Sequence, residues 1–416
     1  MSIAPEPLAA HSAASAEPRA TALIRLRGLD PISPGYATDV VDAILDFAEA
    51  VGTSDVHLQP GRGGLEIRYR RHGVLQLLET VPMGVNASII ARLKVLSGLL
   101  TYQSDIPQEG RVEEPPHGRE IRVSTFPTLH GERGVLRFFG HAREFTTLGE
   151  LGNATELTDG IREALQETSG AMLVTGPAGS GKSTTLYACL RHLVAVNDGA
   201  RSIVSIEDPI EVPVDGVAQS QVDLSSGFDL TTGLRSLMRQ DPEVIMVGEI
   251  RDRDTAEFAI QASLTGQLLL ATFHADSAAS AITRLIEMGI EPFLVRSGLI
   301  VVICQRLLRL LCTCGRESTD PADLHGLPLD RARVPQGCPT CQQTGYSGRI
   351  IVSEFLDLRN PEIGTPVLRK ADSRELQRMA MQLGMTCLRD QALRLVQAGR
   401  TSPAELVRVL GSTNRG

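Results

Sequence analysis

Residues 171–184 read AMLVTGPAGSGKST: an apolar run, 171–174, leads straight into 176–183, a full match to the phosphate-loop pattern G-x-x-x-x-G-K-[ST]. A buried strand delivers such a loop, and its glycines let successive backbone N–H groups turn inward around a β-phosphate without Cβ clashes. On this reading Gly176, Pro177, Ala178, Gly179, Ser180, Gly181, Lys182, Ser183 and Thr184 hold a nucleoside triphosphate. Lys182 reaches the β- and γ-phosphates and Ser183 holds Mg²⁺. A helix starting near Lys182 points its positive dipole end at the anion. A glycine-rich turn that merely ended in Lys-Ser would lack this strand and helix context.

Beyond the loop, short apolar strands at 172–175, 203–206, 244–247 and 268–272 alternate with helical stretches, which predicts a parallel sheet flanked by helices. An open α/β sheet collects its ligand chemistry where such strands end. The residues there are Glu207, Asp208, Glu249 and His274. This nucleotide core is expected over 157–310, after a polar linker at 144–156 that carries Gly149 and Gly152.

Before the linker, 37–143 reads as a small α/β domain. Val40, Val41, Ile44, Leu45, Phe47 and Ala48 have helical spacing, alternating runs follow at 65–69 and 74–78, a helix near 87–99, and strands at 119–125 and 134–139. Residues 1–36, rich in Ala, Pro, Ser and Glu, predict a disordered tail. After the core, 311–349 is loop-rich and holds Cys312, Cys314, Cys338 and Cys341, and 350–416 returns to helical spacing, as in Leu376, Met379, Leu383 and Leu388, Ala392, Leu395.

At 416 residues the chain has room for two or three domains, and a net charge of -8 with a pI near 5.7 argues against a surface built mainly to grip nucleic acid. Residues 1–20 lack a cationic start followed by an apolar stretch, and the longest apolar run, 299–304, is too short to span a bilayer. Cytosolic residence is the expectation, and there the seven cysteines read as thiols or metal ligands rather than disulfides.

Several separated blocks carry a family resemblance. SDVHLQP (54–60), RLKVLSG (92–98), PQEGR (107–111) and IRVSTFPTLHGER (121–133) precede the loop; IEDPIE (206–211), RQDPEVIMVGEIRD (239–252), LLLATFHADSA (268–278) and GIEPFLVRSGL (289–299) follow it. Together, from Thr38 to Leu395, they resemble the hexameric ATPases of type II secretion and type IV pilus assembly. The resemblance implies a RecA-like P-loop ATPase domain preceded by a small α/β, PAS-like domain, with a cysteine-rich insertion and a C-terminal helical segment.

It also implies roles. Glu249 would polarise the attacking water, Glu207 would be a second acid at the nucleotide, and His274 would sense the γ-phosphate through an N–H donor. Gly248 stands where many such ATPases place a Mg²⁺-directing Asp. Arg111, Arg122 and Arg137 match the arginines with which the family's N-terminal domain offsets γ-phosphate charge. Each of these also has a bland reading, as a solvated strand-end charge or a structural histidine. The four cysteines resemble a zinc-binding insertion, although Cys312 and Cys314 make C-x-C where the family has C-x-x-C; unligated thiols are the alternative. Cys189, Cys304 and Cys387 read as core residues. His72 replaces the Asp of an R-x-D-G turn.

The function so implied is a cytoplasmic homo-hexameric ATPase, peripheral at the inner face of the membrane, that drives type II secretion. Its cofactors would be ATP, Mg²⁺ and structural Zn²⁺; its partners, an inner-membrane platform protein and a cytoplasmic-membrane adaptor. The short stretch before Thr38 leaves recruitment to the remaining domains, the tail or the adaptor. A pilus-assembly or DNA-uptake motor shares every motif. A non-hydrolysing assembly subunit and a nucleic-acid translocase are the other readings; the intact acids weigh against the first and the acidic balance against the second.

Overall fold

The computed structural model describes residues 17–115, 118–139 and 145–412, and it begins with a helix where composition predicts a tail. In that helix, α1 (Glu17–Gly28), Ala22 and Leu26 lie one turn apart and are buried in the core of the N-terminal unit, while Arg25 pairs with Asp46 at 2.6 Å. The disordered-tail expectation is therefore corrected from Glu17 onward; residues 1–16 lie outside the described residues. Two apolar anchors on an otherwise polar helix make too faint a stripe to read from sequence.

The chain divides into two units. Among the described residues, one takes in 17–115 and 118–139 with Gln336–Ser347, the other 145–335 with 348–412. In the first, α2 (Tyr36–Val51) buries the helically spaced Val40, Val41, Ile44, Leu45, Phe47 and Ala48, and stops at Gly52, whose φ of 64° forms a left-handed cap. Then come β1 (Asp55–Gly61), β2 (Gly64–Arg71), β3 (Val74–Val81), α3 (Asn86–Leu96), β4 (Gln108–Arg111), β5 (Ile121–Thr128) and β6 (Gly131–Phe138).

These six strands form one sheet in the order β3-β2-β1-β6-β5-β4, antiparallel at every pair. Val56, Leu58, Ile67, Tyr69, Val123 and Leu136 share a core with α2 and α3, so the alternate residues point to the other face. His72 and Gly73 make the two-residue β2–β3 turn with φ of 49° and 78°, the primed geometry that a tight hairpin favours. Histidine is among the residues that visit this region, so the turn forms without the family's Asp.

The second unit contains α4 (Thr155–Gln166), β7 (Gly170–Thr175), α5 (Lys182–Asn197), β8 (Ile203–Glu207), β9 (Ala218–Gln221), α6 (Leu230–Leu237), β10 (Val244–Ile250), α7 (Arg253–Leu264), β11 (Leu268–Phe273), α8 (Ala278–Glu287), α9 (Pro292–Gly298) and β12 (Leu299–Leu311). A small hairpin of β13 (Arg316–Ser318) and β14 (Ala332–Val334) encloses α10 (Pro321–Leu324). β15 (Tyr346–Asp357) and the helices α11 (Pro361–Leu368), α12 (Ser373–Gln382), α13 (Leu388–Gln397) and α14 (Pro403–Leu410) complete it.

The seven-stranded sheet runs β15-β12-β7-β11-β10-β8-β9, with β12, β7, β11, β10, β8 and β9 parallel neighbour to neighbour. Both of its faces are covered. Leu173, Ile245 and Leu269 enter one core with α7 and α8; Met172, Met246 and Leu270 enter the other with α4 and α5. Burial on both faces explains the near-continuous apolar strands.

Two expectations change here, and one apolar run that periodicity alone does not assign takes form. Residues 299–311 form one thirteen-residue strand, and a run this apolar cannot be told from a buried helix by periodicity alone. Residues 350–357, expected to be helical, are strand in β15. The 144–156 stretch is not purely a linker, since Leu148 and Leu151 are buried in a core of the second unit. Among the described residues no helix is long and apolar enough to cross a membrane.

Candidate nucleotide site

Gly176, Gly179 and Gly181 have φ of 142°, 73° and 90°. A Cβ on Gly176 would lie 2.5 Å from the Gln305 carbonyl oxygen and 2.6 Å from Ser180 Oγ, so only glycine fits between the loop and β12. Gln305 also donates its Nε2 to the Ser180 carbonyl at 2.9 Å and accepts from the Thr185 hydroxyl at 3.1 Å. No side chain caps the start of α5 at Gly181, which leaves first-turn N–H groups for an anion.

Lys182 is buried and donates to the carbonyls of Gly176 and Pro177 at 3.0 and 3.2 Å. Burial lowers its pKa, with the Glu249 charge opposing. Ser180 Oγ is buried without a hydrogen-bond partner among the described residues. An orphaned hydroxyl, free helix N–H groups and a buried ammonium suit a polyphosphate.

Parallel pairing of β10 and β11 sets their ends side by side, and there Glu249 meets His274. One carboxylate oxygen pairs with His274 Nε2; the other accepts from Arg251 Nε at 2.5 Å, and Arg251 reaches on to Asp208 at 3.4 Å. Arg284 fixes the His274 backbone by donating to its carbonyl at 2.7 Å. A Cβ on Gly248 would stand 3.2 Å from Glu207 Cα, so the close approach of β8 and β10 favours the missing side chain at that place.

Glu207 is not at Ser183. It is buried at the end of β8, where Tyr187 donates its hydroxyl to one oxygen, and Ser205 and Gln219 donate to the other at 2.6 and 2.9 Å. The acid that meets Ser183 is Glu211, which accepts from its hydroxyl at 3.2 Å. Both acids lie in IEDPIE, and the sequence could not say which would turn toward α5. Tyr187, Gln305 and Arg251 also went unread; only Arg251 carries a sequence signal, being inside the quoted GEIRD block.

In the N-terminal unit, strand register aligns the three expected arginines. Arg111 stands opposite Arg122, Arg122 opposite Arg137, Arg137 opposite Asp55, and Asp55 opposite Arg70, so all five share one face in one transverse row. Asp55 holds Arg137 at 3.0 Å and Arg70 at 3.4 Å; Glu120 holds Arg122 and Arg111 at 3.4 and 3.5 Å. Arg122 also lies over the Phe139 ring, 5.1 Å from its centre. Arg70 and Asp55 extend the expected set.

The sulfurs of Cys312, Cys314, Cys338 and Cys341 all lie within 4.8 Å of one another. Tetrahedral ligands about 2.3 Å from zinc stand about 3.8 Å apart, and Cys338 and Cys341 Sγ are 3.7 Å apart. Backbone N–H groups of Cys338 and Gly345 point at Cys341 Sγ, each at 3.2 Å, which favours a thiolate. The C-x-C spacing does not keep the four apart, and the cluster is compatible with zinc.

Known proteins resemble this chain over most of its length. The type II/IV secretion system protein family matches residues 33–408. The type II secretion system ATPase E of Vibrio cholerae is 38% identical over 387 residues, covering 89% of this chain and 74% of the relative. The type IV pilus assembly ATPase TfpB of Acinetobacter baylyi is 38% identical over 390 residues, covering 91% and 66%. The X-ray structure of the Legionella pneumophila ATPase DotB has a TM-score of 0.64 at 22% identity, covering 91% of this chain and 96% of its own, a likeness of fold. The α/β architecture, a RecA-like P-loop domain preceded by a small α/β domain, is thus as the sequence predicts. The chain belongs to the type II/IV secretion system protein family, as an ATP-hydrolysing enzyme.

Proposed function

We propose that this protein is the ATPase motor of a type II secretion system, working as a homo-hexamer at the cytoplasmic face of the inner membrane. The observation that carries the reading is the glycine loop with Lys182 and Ser183 beside the Glu249–His274 pair, in a chain of this family. The loop N–H groups and Lys182 hold the ATP phosphates, and Ser183 holds Mg²⁺. Mg²⁺, when bound, neutralises charge on the β- and γ-oxygens. Glu249 orients and polarises the attacking water, His274 responds to the γ-phosphate, and the arginine row of Arg111, Arg122 and Arg137 offsets charge on the transferred group. Glu207 acts through Tyr187 and does not touch nucleotide. The cysteine cluster holds one structural zinc.

Hydrolysis then moves the nucleotide-bound subunits against a membrane platform protein, with an adaptor securing recruitment. A pilus-assembly motor is the second reading, favoured by the likeness to TfpB. The test is Mg²⁺-dependent phosphate release from ATP across a wide range of protein concentration. Specific activity that rises with concentration supports a ring whose site is completed between subunits. An absence of any ATP turnover, with the platform protein present, overturns the motor. Loss of secretion or of piliation in a strain lacking the chain separates the two readings.

A further inference from the structure

Ser183 and Tyr187 stand four residues apart on α5, hence on one face of that helix. Both reach the same residue of the 207–211 loop by different atoms. Ser183 donates its hydroxyl to the Glu211 carboxylate at 3.2 Å, and the Tyr187 hydroxyl accepts the Glu211 backbone N–H at 3.0 Å. That tyrosine hydroxyl is itself aimed by Glu207, to which it donates. Glu207 is in turn held by Ser205 and Gln219, and Gln219 grips the far side of the loop through the Val212 carbonyl at 3.1 Å and the Val214 N–H at 2.6 Å. Burial, then the Glu207 charge, raise the Tyr187 pKa well above the usual phenol range, so the hydroxyl keeps its proton for Glu207.

We propose that Tyr187 is a positioning residue for the metal site: by pinning the backbone of Glu211 it sets that carboxylate against the Ser183 hydroxyl, where it orients the coordination shell of Mg²⁺. The inference rests on the nucleotide-site reading above. It explains why an acid as well hydrogen-bonded as Glu207 lies beneath the loop that carries Glu211 to Ser183. Removing an outer-shell partner of a metal site weakens metal binding by about 10- to 100-fold.

The test is Tyr187→Phe in the full chain, which removes one hydroxyl and keeps the ring. Mn²⁺, in place of Mg²⁺, is titrated into the ADP-saturated protein and followed by the electron paramagnetic signal of the free ion, with ADP affinity in EDTA and the melting curve measured beside it. Mn²⁺ affinity is expected to fall about tenfold while metal-free ADP affinity holds. The double variant with Glu211→Gln is expected to bind no more weakly than Glu211→Gln alone, since Tyr187 acts only through that carboxylate. Wild-type Mn²⁺ affinity in Tyr187→Phe, or an additive loss in the double variant, overturns the proposal. A wild-type protein that binds no ADP overturns the nucleotide reading instead. Should Tyr187→Phe not fold, Glu207→Gln is the second arm. Its carboxamide cannot accept from Tyr187, Ser205 and Gln219 together, so Mn²⁺ affinity should again fall, and unchanged affinity refutes the chain of contacts.

Discussion

Replacing Glu249 by Gln separates chemistry from packing at the centre of the site. The carboxylate has two partners, His274 and Arg251. A carboxamide of the same size can keep its oxygen on Arg251 and turn its NH₂ toward His274 Nε2, which accepts in the other neutral tautomer. The Arg251 and His274 side chains are 60% and 42% exposed, so water screens both pairs. The stability lost is then about 1 kcal/mol or less, a melting shift of about 2–4 °C for a domain of this size. A positioned general base is worth about 10²- to 10⁴-fold in rate, or about 2.7–5.5 kcal/mol of barrier. The barrier effect therefore exceeds the folding effect several-fold. Phosphate release, nucleotide binding and thermal melting on one preparation read the three quantities, with turnover lost and binding kept as the expected result. A variant that turns over ATP at a rate close to wild type would refute the assignment and return Glu249 to a solvated strand-end acid.

Three other perturbations reach further into the molecule. Arg122→Ala should lower turnover with ATP affinity retained, because its partner Glu120 and the Phe139 ring hold it as one member of a row rather than as a core residue; unchanged rates in a phosphate-release assay would make it a surface charge. Cys338→Ser should lower the metal content from about one zinc per chain, read by elemental analysis, and full zinc retention would end the cluster reading. Glu405 is fully buried against Arg309 and Arg408 at 2.7 and 2.6 Å. Burial alone would raise its pKa, but hydrogen bonds from Arg408 and Arg309 prevail and hold it below the ordinary 4.5. Its stabilisation is therefore complete above about 4.5 and is lost as pH falls through the lower folded value. Glu405→Gln should show its largest deficit in denaturant midpoint near neutral pH and converge on wild type in acid; a deficit that does not change with pH would contradict the sign.

The sheet row of arginines shows how far reading residues one at a time can go. Arg111 and Arg122 lie inside local blocks and Arg137 a few residues beyond one, but their alignment, and the addition of Asp55 and Arg70, depends on cross-strand register over four strand pairs. Register is a non-local property, set by which face each strand buries. The same limit applies to Glu207 and Glu211. They lie four residues apart in one motif, and the choice between them is made by Tyr187, Ser205 and Gln219, which come from a helix and two strands.

By itself, the sequence determined the phosphate loop, the parallel α/β core around it, the strand-end acids and histidine, and the family. Those features are local: a positive φ demands glycine, a doubly buried strand demands an apolar run, and a helix start needs no distant partner. Only the tertiary structure decided that α1 is a helix, that residues 299–311 and 350–357 are strands, which acid meets Ser183, and that the four thiols converge despite the C-x-C spacing. Each of those outcomes turns on groups brought together from separate segments, and their contact energies have no signature in the local pattern.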